Sequence, residues 1–326
     1  MDGIVYYIGF GIFSFIVTFI FTKMLIPRLK RFGIIGRDVN KPDRPEVAEM
    51  GGIAIVAGFT AGVLLAIFLN TFSEFEFNLV YVMAALITVH SVAFIGIVDD
   101  LLDIPQFVKA FLPLFAAVPL IAVSAVGSTA MNIPFVGEID LGIFYILILV
   151  PIGVAVASNL SNMFAGFNGL EAGLGSVMFL AMAILAVAHG SVEMAILFIP
   201  ILGALVAFMF FNWYPAKVFP GDVGNLTIGA VLASGVIIGN LEAAGAILMI
   251  LYVLDFFIKA YKRFPSSNWW GEYQDGKLYA LDGRARGLAQ FVMKLFNGIS
   301  EVNLVLFFIG IEVLIAIVVL LLFFPY

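Results

Sequence analysis

The chain contains no cysteine, which excludes disulfides, zinc–thiolate sites, iron–sulfur clusters and cysteine nucleophiles. Charge is also scarce. Asp, Glu, Lys and Arg make up 12% of the 326 residues and histidine occurs twice, against ~25% charged in an ordinary soluble domain. With 63% hydrophobic residues and a mean hydropathy of +1.13, a soluble globule is excluded. Sixteen Lys and Arg against 22 Asp and Glu give a net charge of −6. That leaves no basic surface to displace counterions from a nucleic-acid backbone, so no nucleic-acid partner is expected. Carboxylates, amides, Lys/Arg and a metal remain for any chemistry.

The hydrophobic residues come in runs near the length that ~30 Å of hydrocarbon requires. They lie at Ile4–Phe21, Gly52–Leu69, Leu79–Val98, Ala110–Val126, Leu141–Ala157, Gly173–Ala188, Met194–Phe211, Leu226–Gly239, Ala243–Ile258 and Val302–Phe324. No basic n-region or small-residue cleavage site precedes the first run, so it is expected to be retained. The runs flanking Gly239, Asn240 and Leu241 are short and nearly fused, which leaves nine or eleven spans as alternatives to ten. The expected fold is all-α and polytopic, with about ten transmembrane helices, and residues 1–326 form a single transmembrane catalytic domain. No internal repeat is present.

If ten helices alternate, all 16 basic residues fall on one side, in Lys23–Met50, Asp99–Lys109, Ser158–Ala172, Asn212–Asn225 and Lys259–Ser300. The opposite side has Asp2, Glu74, Glu76, Glu138, Asp140, Glu193 and Glu242 and no Lys or Arg. The positive-inside rule puts the basic side in the cytoplasm and both termini outside a cell membrane crossed many times. The unusual polar clusters share the basic side, so catalysis is expected at the cytoplasmic face.

The third run ends in Asp99-Asp100-Leu101-Leu102-Asp103. Three carboxylates at a membrane boundary are costly unless something positive joins them. Mg²⁺ is the natural counter-charge, because it bridges carboxylates to substrate phosphates; a solvated acidic helix end is the plain alternative. Ser158–Glu171 sets Asn159, Asn162 and Asn168 between apolar helices, where amides suit a base edge or a metal, or merely cap helices. In the next cytoplasmic segment, Gly221-Asp222 precedes a helix whose amino end favours an anion, with an ordinary Gly-Asp turn as the alternative. Arg284-Ala285-Arg286 supplies guanidinium forks that match phosphate oxygens, unless these arginines meet only lipid headgroups. His90 and Glu312, inside spans, read as interhelical hydrogen-bonding groups.

In order along the chain, Glu49-Met50-Gly51-Gly52, Asp99-Asp100 with Asp103, the Asn-rich loop, Gly221-Asp222 and the final arginine pair resemble the polyprenyl-phosphate N-acetylhexosamine-1-phosphate transferases. The resemblance covers most of the chain. Ala165-Gly166-Phe167-Asn168-Gly169-Leu170-Glu171 and Asn212-Trp213-Tyr214-Pro215 look like the eukaryotic and archaeal dolichyl-phosphate branch rather than the bacterial muropeptide enzymes, whose three-His element is missing. Arg284-Ala285-Arg286 departs from the Arg-His-Arg of the eukaryotic type. The resemblance implies transfer of N-acetylhexosamine-1-phosphate, GlcNAc-1-phosphate first, from a UDP-sugar to a polyprenyl or dolichyl phosphate, with UMP released. It implies Asn162 and Asp222 as ligands of Mg²⁺ or Mn²⁺, Asp99 and Asp100 as active-site acids, and Lys109 on phosphate. By the same resemblance, Asn168 reads uracil, Glu49 approaches the sugar, Arg284 holds the pyrophosphate and Arg286 recognises the N-acetyl sugar. The partners to expect are UDP-N-acetylhexosamine, the lipid phosphate, the bilayer and a second copy of the chain.

Two rival enzymes and one non-enzyme fit less well. An intramembrane prenyltransferase needs two Asp-rich motifs, and one is present. A CDP-alcohol transferase needs a spacing that Asp282-Gly283-Arg284-Ala285-Arg286 misses. A secondary transporter keeps its polar groups near the bilayer midplane, whereas here they gather at one edge.

Overall fold

The computed structural model describes residues 2–124, 128–133, 136–264 and 270–325. Helices α1 (Asp2–Arg31), α2 (Gly52–Phe72), α3 (Leu79–Leu102), α4 (Gln106–Ala116) and α5 (Val118–Ser124) come first. A short α6 (Gly142–Phe144) runs through a π-helical turn into α7 (Val150–Met163), followed by α8 (Leu170–Ala188), α9 (Val192–Asn212) and α10 (Gly221–Gly239). The chain ends with α11 (Glu242–Leu248), α12 (Ile250–Tyr261), α13 (Leu288–Leu295) and α14 (Glu301–Phe323). Three antiparallel hairpins lie between them: β1 (Ile35–Arg37) with β2 (Glu46–Ala48), β3 (Ala130–Ile133) with β4 (Gly137–Asp140), and β5 (Gly271–Gln274) with β6 (Lys277–Ala280).

Among the described residues, nine helical segments are long and apolar enough to cross a membrane, and ten if the pair α11 and α12 counts as one. The protein is thus all-α and multi-pass, and these segments coincide with the ten apolar runs. The short run at Ala243–Ile258 is the broken one, bent by 60°, with Met249 off helical geometry at φ −88°, ψ 10°. The far end of the fourth run, at Val126, lies outside the described residues.

Helix α10 is central: every residue from Val223 to Val236 is buried, against α3, α7, α9 and α2. Lipid tails are as apolar as leucine, so helices in a bilayer associate by close packing and internal hydrogen bonds rather than by the hydrophobic effect. Gly224 and Gly229 let the backbone at Gly52 and Ala157 approach α10, and Gly235 makes room for the Phe198 ring. Its buried hydroxyls return their protons to the helix, Thr227 to Val223 O (2.6 Å) and Ser234 to Ala230 O (2.7 Å), leaving no donor unsatisfied where water is absent. Side chains cap the starts of α3 and α14. Asn78 accepts from Val80 and Tyr81 at α3, and Ser300 from Asn303 at α14.

Candidate active site

The acidic run ends α3 and turns the chain back. Asp103 adopts a left-handed backbone (φ 49°), and Asp99 Oδ1 accepts the Ile104 amide hydrogen at 3.0 Å. Helix α4 begins at Gln106, four residues ahead of the apolar run that starts at Ala110. The helical turn aims Lys109 at α3 and α10, where its ammonium lies 2.5 Å from Asp99 Oδ2 and also bonds Asp222. Asp100 does something different. Its two oxygens accept the amide hydrogens of Asp222 (2.8 Å) and Val223 (3.1 Å), the exposed donors at the amino end of α10. Gly221 makes that approach possible: at φ +67° a side chain is strained, and a Cβ there would sit 2.7 Å from Asp100 Oδ2.

The Asn-rich segment is mostly helical, because Ser158–Met163 close α7 and Leu170-Glu171 open α8. Asn162 therefore sits in the last turn of α7, where its Oδ1 accepts from Asn225 Nδ2 at 3.2 Å. Asn225 Oδ1 is buried without a hydrogen-bond partner. Asp222, Asn162 and Asn225 share the wall of one cavity, which brings one carboxylate and two amide side chains onto one surface. Among the described residues no group of three His, Asp or Glu is placed to hold a metal. That donor set fits Mg²⁺, which takes one or two carboxylates together with waters and substrate phosphates. Asn225 was missed in the sequence; the signal was its position three residues after Asp222, on the same face of the first helical turn.

The cavity measures about 1230 Å³. Glu49, Lys109, Lys259 and Glu171 add polar groups to its wall, and Phe107, Val156, Val253 and Phe257 add apolar ones from α4, α7 and α12. Phe107 and Phe257 point outward, 73% and 62% exposed, so the cavity continues onto the lipid-facing surface. Burial, followed by the negative charge of Asp100, raises the Glu49 carboxyl above its ordinary pKa. Asp99 and Asp100 stand behind the wall and hold Lys109 and the start of α10 in place.

The stretch Asp38–Lys41 ties distant segments together. Asn40 donates to Gly166 O (3.0 Å) and accepts from the Gly271 amide (3.1 Å). Lys41 lies 3.0 Å from Asp38 Oδ2, bonds Glu301, and stands over the Tyr214 ring. Asn168 is wholly engaged in this cluster. It donates to Asp38 (3.1 Å) and Glu301 (2.8 Å) and accepts from the Ala216 amide (2.8 Å) and Lys41 (3.4 Å). Its side chain is off the cavity wall, while its neighbours Gly166 and Phe167 are on it.

The arginine pair also lies off the wall. Arg284 is exposed, and Arg286 donates to Leu281 O and Asp282 Oδ2, each at 3.1 Å. The structure thus brings together Glu49, Lys109, Asn162 and Asp222 with Asp99 and Asp100 in support, and leaves Asn168, Arg284 and Arg286 outside the cavity.

A helical membrane protein with a polar cavity of acids, amides and lysines at one end of its spans is a membrane-embedded transferase in outline, and the comparisons give the family. The profile of glycosyl transferase family 4 matches residues 81–240. The chain is 37% identical, over 95% of its length and 94% of the relative's, to a Saccharolobus solfataricus protein whose name describes it as a UDP-N-acetylglucosamine–dolichyl-phosphate N-acetylglucosaminephosphotransferase. It is 29% identical to the Saccharomyces cerevisiae protein of that name, over 76% of this chain and 65% of the relative. A phospho-N-acetylmuramoyl-pentapeptide-transferase of Halalkalibacterium halodurans is 30% identical over 75% of this chain and 78% of its own. The chain belongs to glycosyl transferase family 4.

Proposed function

We propose that the protein transfers N-acetylglucosamine-1-phosphate from UDP-N-acetylglucosamine to a polyprenyl or dolichyl phosphate, releasing UMP and forming the lipid-diphosphate sugar that starts a glycan. The observation that carries this reading is the cavity's mixed wall: phosphate-binding chemistry at Lys109, Asp222, Asn162 and Asn225 stands beside apolar side chains of α4, α7 and α12. A soluble nucleotide sugar and a lipid phosphate meet only in such a place. The names of the relatives supply the nucleotide and the lipid.

The reaction is an in-line displacement in which an oxygen of the lipid phosphate bonds to the β-phosphorus and the bond from that phosphorus to UMP breaks. A phosphate monoester has its second pKa near ~6, so the acceptor is already largely dianionic at neutral pH and no proton has to be removed. Mg²⁺ or Mn²⁺ held by Asp222 with Asn162 and Asn225 would neutralise the charge shared by the diphosphate and the departing UMP. Lys109, pinned by Asp99 and Asp222, keeps a fixed positive charge beside the phosphates. Asp100 fixes the start of α10 and so the direction of Asp222. Positioning and charge stabilisation supply most of the catalysis in phosphoryl transfer. The distribution of basic residues supports a cytoplasmic site with both termini outside.

The test is purified protein incubated with polyprenyl phosphate and a panel of radiolabelled UDP-sugars, with the lipid fraction counted. Label in lipid with UDP-GlcNAc is expected, and none with any UDP-sugar would overturn the reading.

A further inference from the structure

The cavity wall carries four carboxylates, on Asp38, Glu49, Glu171 and Asp222, and three basic side chains, on Arg37, Lys109 and Lys259. Two of the three cations are committed. Lys109 is bonded to Asp99 and Asp222; Lys259 lies 2.6 Å from Asp255 and donates to Met163 O. The guanidinium of Arg37 has no hydrogen bond or ion pair among the described residues. Glu46, its partner across the β1–β2 ladder, forms no ion pair with it, and the side chain is exposed at the cavity mouth. The reaction proposed above brings a diphosphate and a phosphate monoester onto a wall with more acids than bases. An uncommitted guanidinium fork is the group that matches phosphate oxygens bidentately.

The element that carries Arg37 is fixed. The next four residues reach the α7–α8 turn, β5 and the start of α14 through Asp38, Asn40 and Lys41. The backbone under the guanidinium is therefore held before any ligand arrives, which lowers the ordering cost of binding.

We propose that Arg37 binds a substrate phosphate at the mouth of the cavity. The reading rests on the transfer reaction proposed above. The phosphate belongs to the nucleotide sugar or to the lipid acceptor, and the experiment separates the two.

R37A and R37K are compared with R44A, which removes a charge from the same cytoplasmic segment away from the cavity. Initial rates are measured with UDP-GlcNAc varied at fixed polyprenyl phosphate and the reverse. UDP binding is measured by calorimetry on protein without lipid acceptor. R37A is expected to raise one KM by at least ~10-fold with kcat within ~3-fold, R37K to fall between R37A and parent, and R44A to match the parent. A rise confined to the UDP-sugar, with weakened UDP binding, assigns the guanidinium to the diphosphate. A rise confined to the lipid, with UDP binding unchanged, assigns it to the acceptor phosphate. R37A kinetics and UDP affinity equal to those of R44A overturn the proposal, as does a fall in kcat with both KM values unchanged. A parent protein that binds UDP through Arg37 yet forms no lipid product sinks the transfer reaction and leaves the phosphate site standing. Neither UDP binding nor product from the parent sinks both.

Discussion

Asp100 accepts the amide hydrogen of Asp222 at 2.8 Å, joining the end of one membrane helix to the start of another through a carboxylate on a helix amino terminus. Asn at position 100 keeps one acceptor oxygen and turns an NH₂ donor toward the second amide. The unpaired donor costs ~1–3 kcal/mol, and Asp222 loses its aim. Gly221→Ala strikes the same joint from the other side. Gly190→Ala is the control, since Gly190 has a similar φ of +66° but open space around it. Both alanines incur ~1–2 kcal/mol of left-handed strain, seen as a lower thermal midpoint in detergent. Only G221A and D100N should also lose most of their activity, and a G221A protein as active as G190A would show that the joint does not position Asp222.

The second prediction concerns the metal. Chelation should abolish transfer and Mg²⁺ or Mn²⁺ should restore it. Asp222→Asn is expected to cost at least ~10² in rate, and a loss within ~10-fold, or ~1.4 kcal/mol of barrier, would remove Asp222 from the essential ligands. Asn225→Ala should raise the Mg²⁺ concentration for half-maximal rate by ~10–100-fold, with a stability loss of ~0.5–1.5 kcal/mol from the Nδ2 bond to Asn162 that it removes. Unchanged Mg²⁺ dependence in N225A sinks its place at the metal.

The spans were legible because a bilayer imposes one length on every apolar run, but the bend at Met249 was not, since the shorter run Leu226–Gly239 lies in one unbroken helix. The chemistry at α3, α7 and α10 was legible because acids and amides are rare in such a chain. What linear sequence hid was which polar group faces the cavity. Asp99, Asp100 and Asp222 look alike as letters, but helix geometry turns the first two toward Lys109 and the α10 amides. Asn168 and Lys41 are 127 residues apart, and no local pattern reveals a buried cluster assembled from four loops. Arg37 was hidden among the basic residues that any cytoplasmic segment carries.

Topology gives the third prediction, since all 16 Lys and Arg lie in segments assigned to one side. In this cysteine-free chain, A285C and E138C can be labelled singly with an impermeant thiol reagent. Cells should label at position 138 from outside, and at 285 only after permeabilisation. Labelling at 285 in intact cells contradicts the cytoplasmic site.

The last prediction distinguishes direct displacement from a covalent phospho-sugar enzyme. A two-step route needs a carboxylate that reaches the β-phosphorus. Asp100 has both oxygens occupied by amides of α10, and Asp99 is held by Lys109 and the Ile104 amide. Neither lies on the cavity wall. Asp222 does, but a carboxylate bonded to Lys109 is a poor nucleophile, and the dianionic lipid phosphate needs no base to attack. Direct displacement therefore predicts that labelled UMP does not exchange into UDP-GlcNAc unless lipid phosphate is present. The protein must first be stripped of co-purified lipid, since a residual acceptor allows reversal and imitates the two-step result. Exchange that persists after stripping would overturn the direct route in favour of a covalent phospho-sugar enzyme.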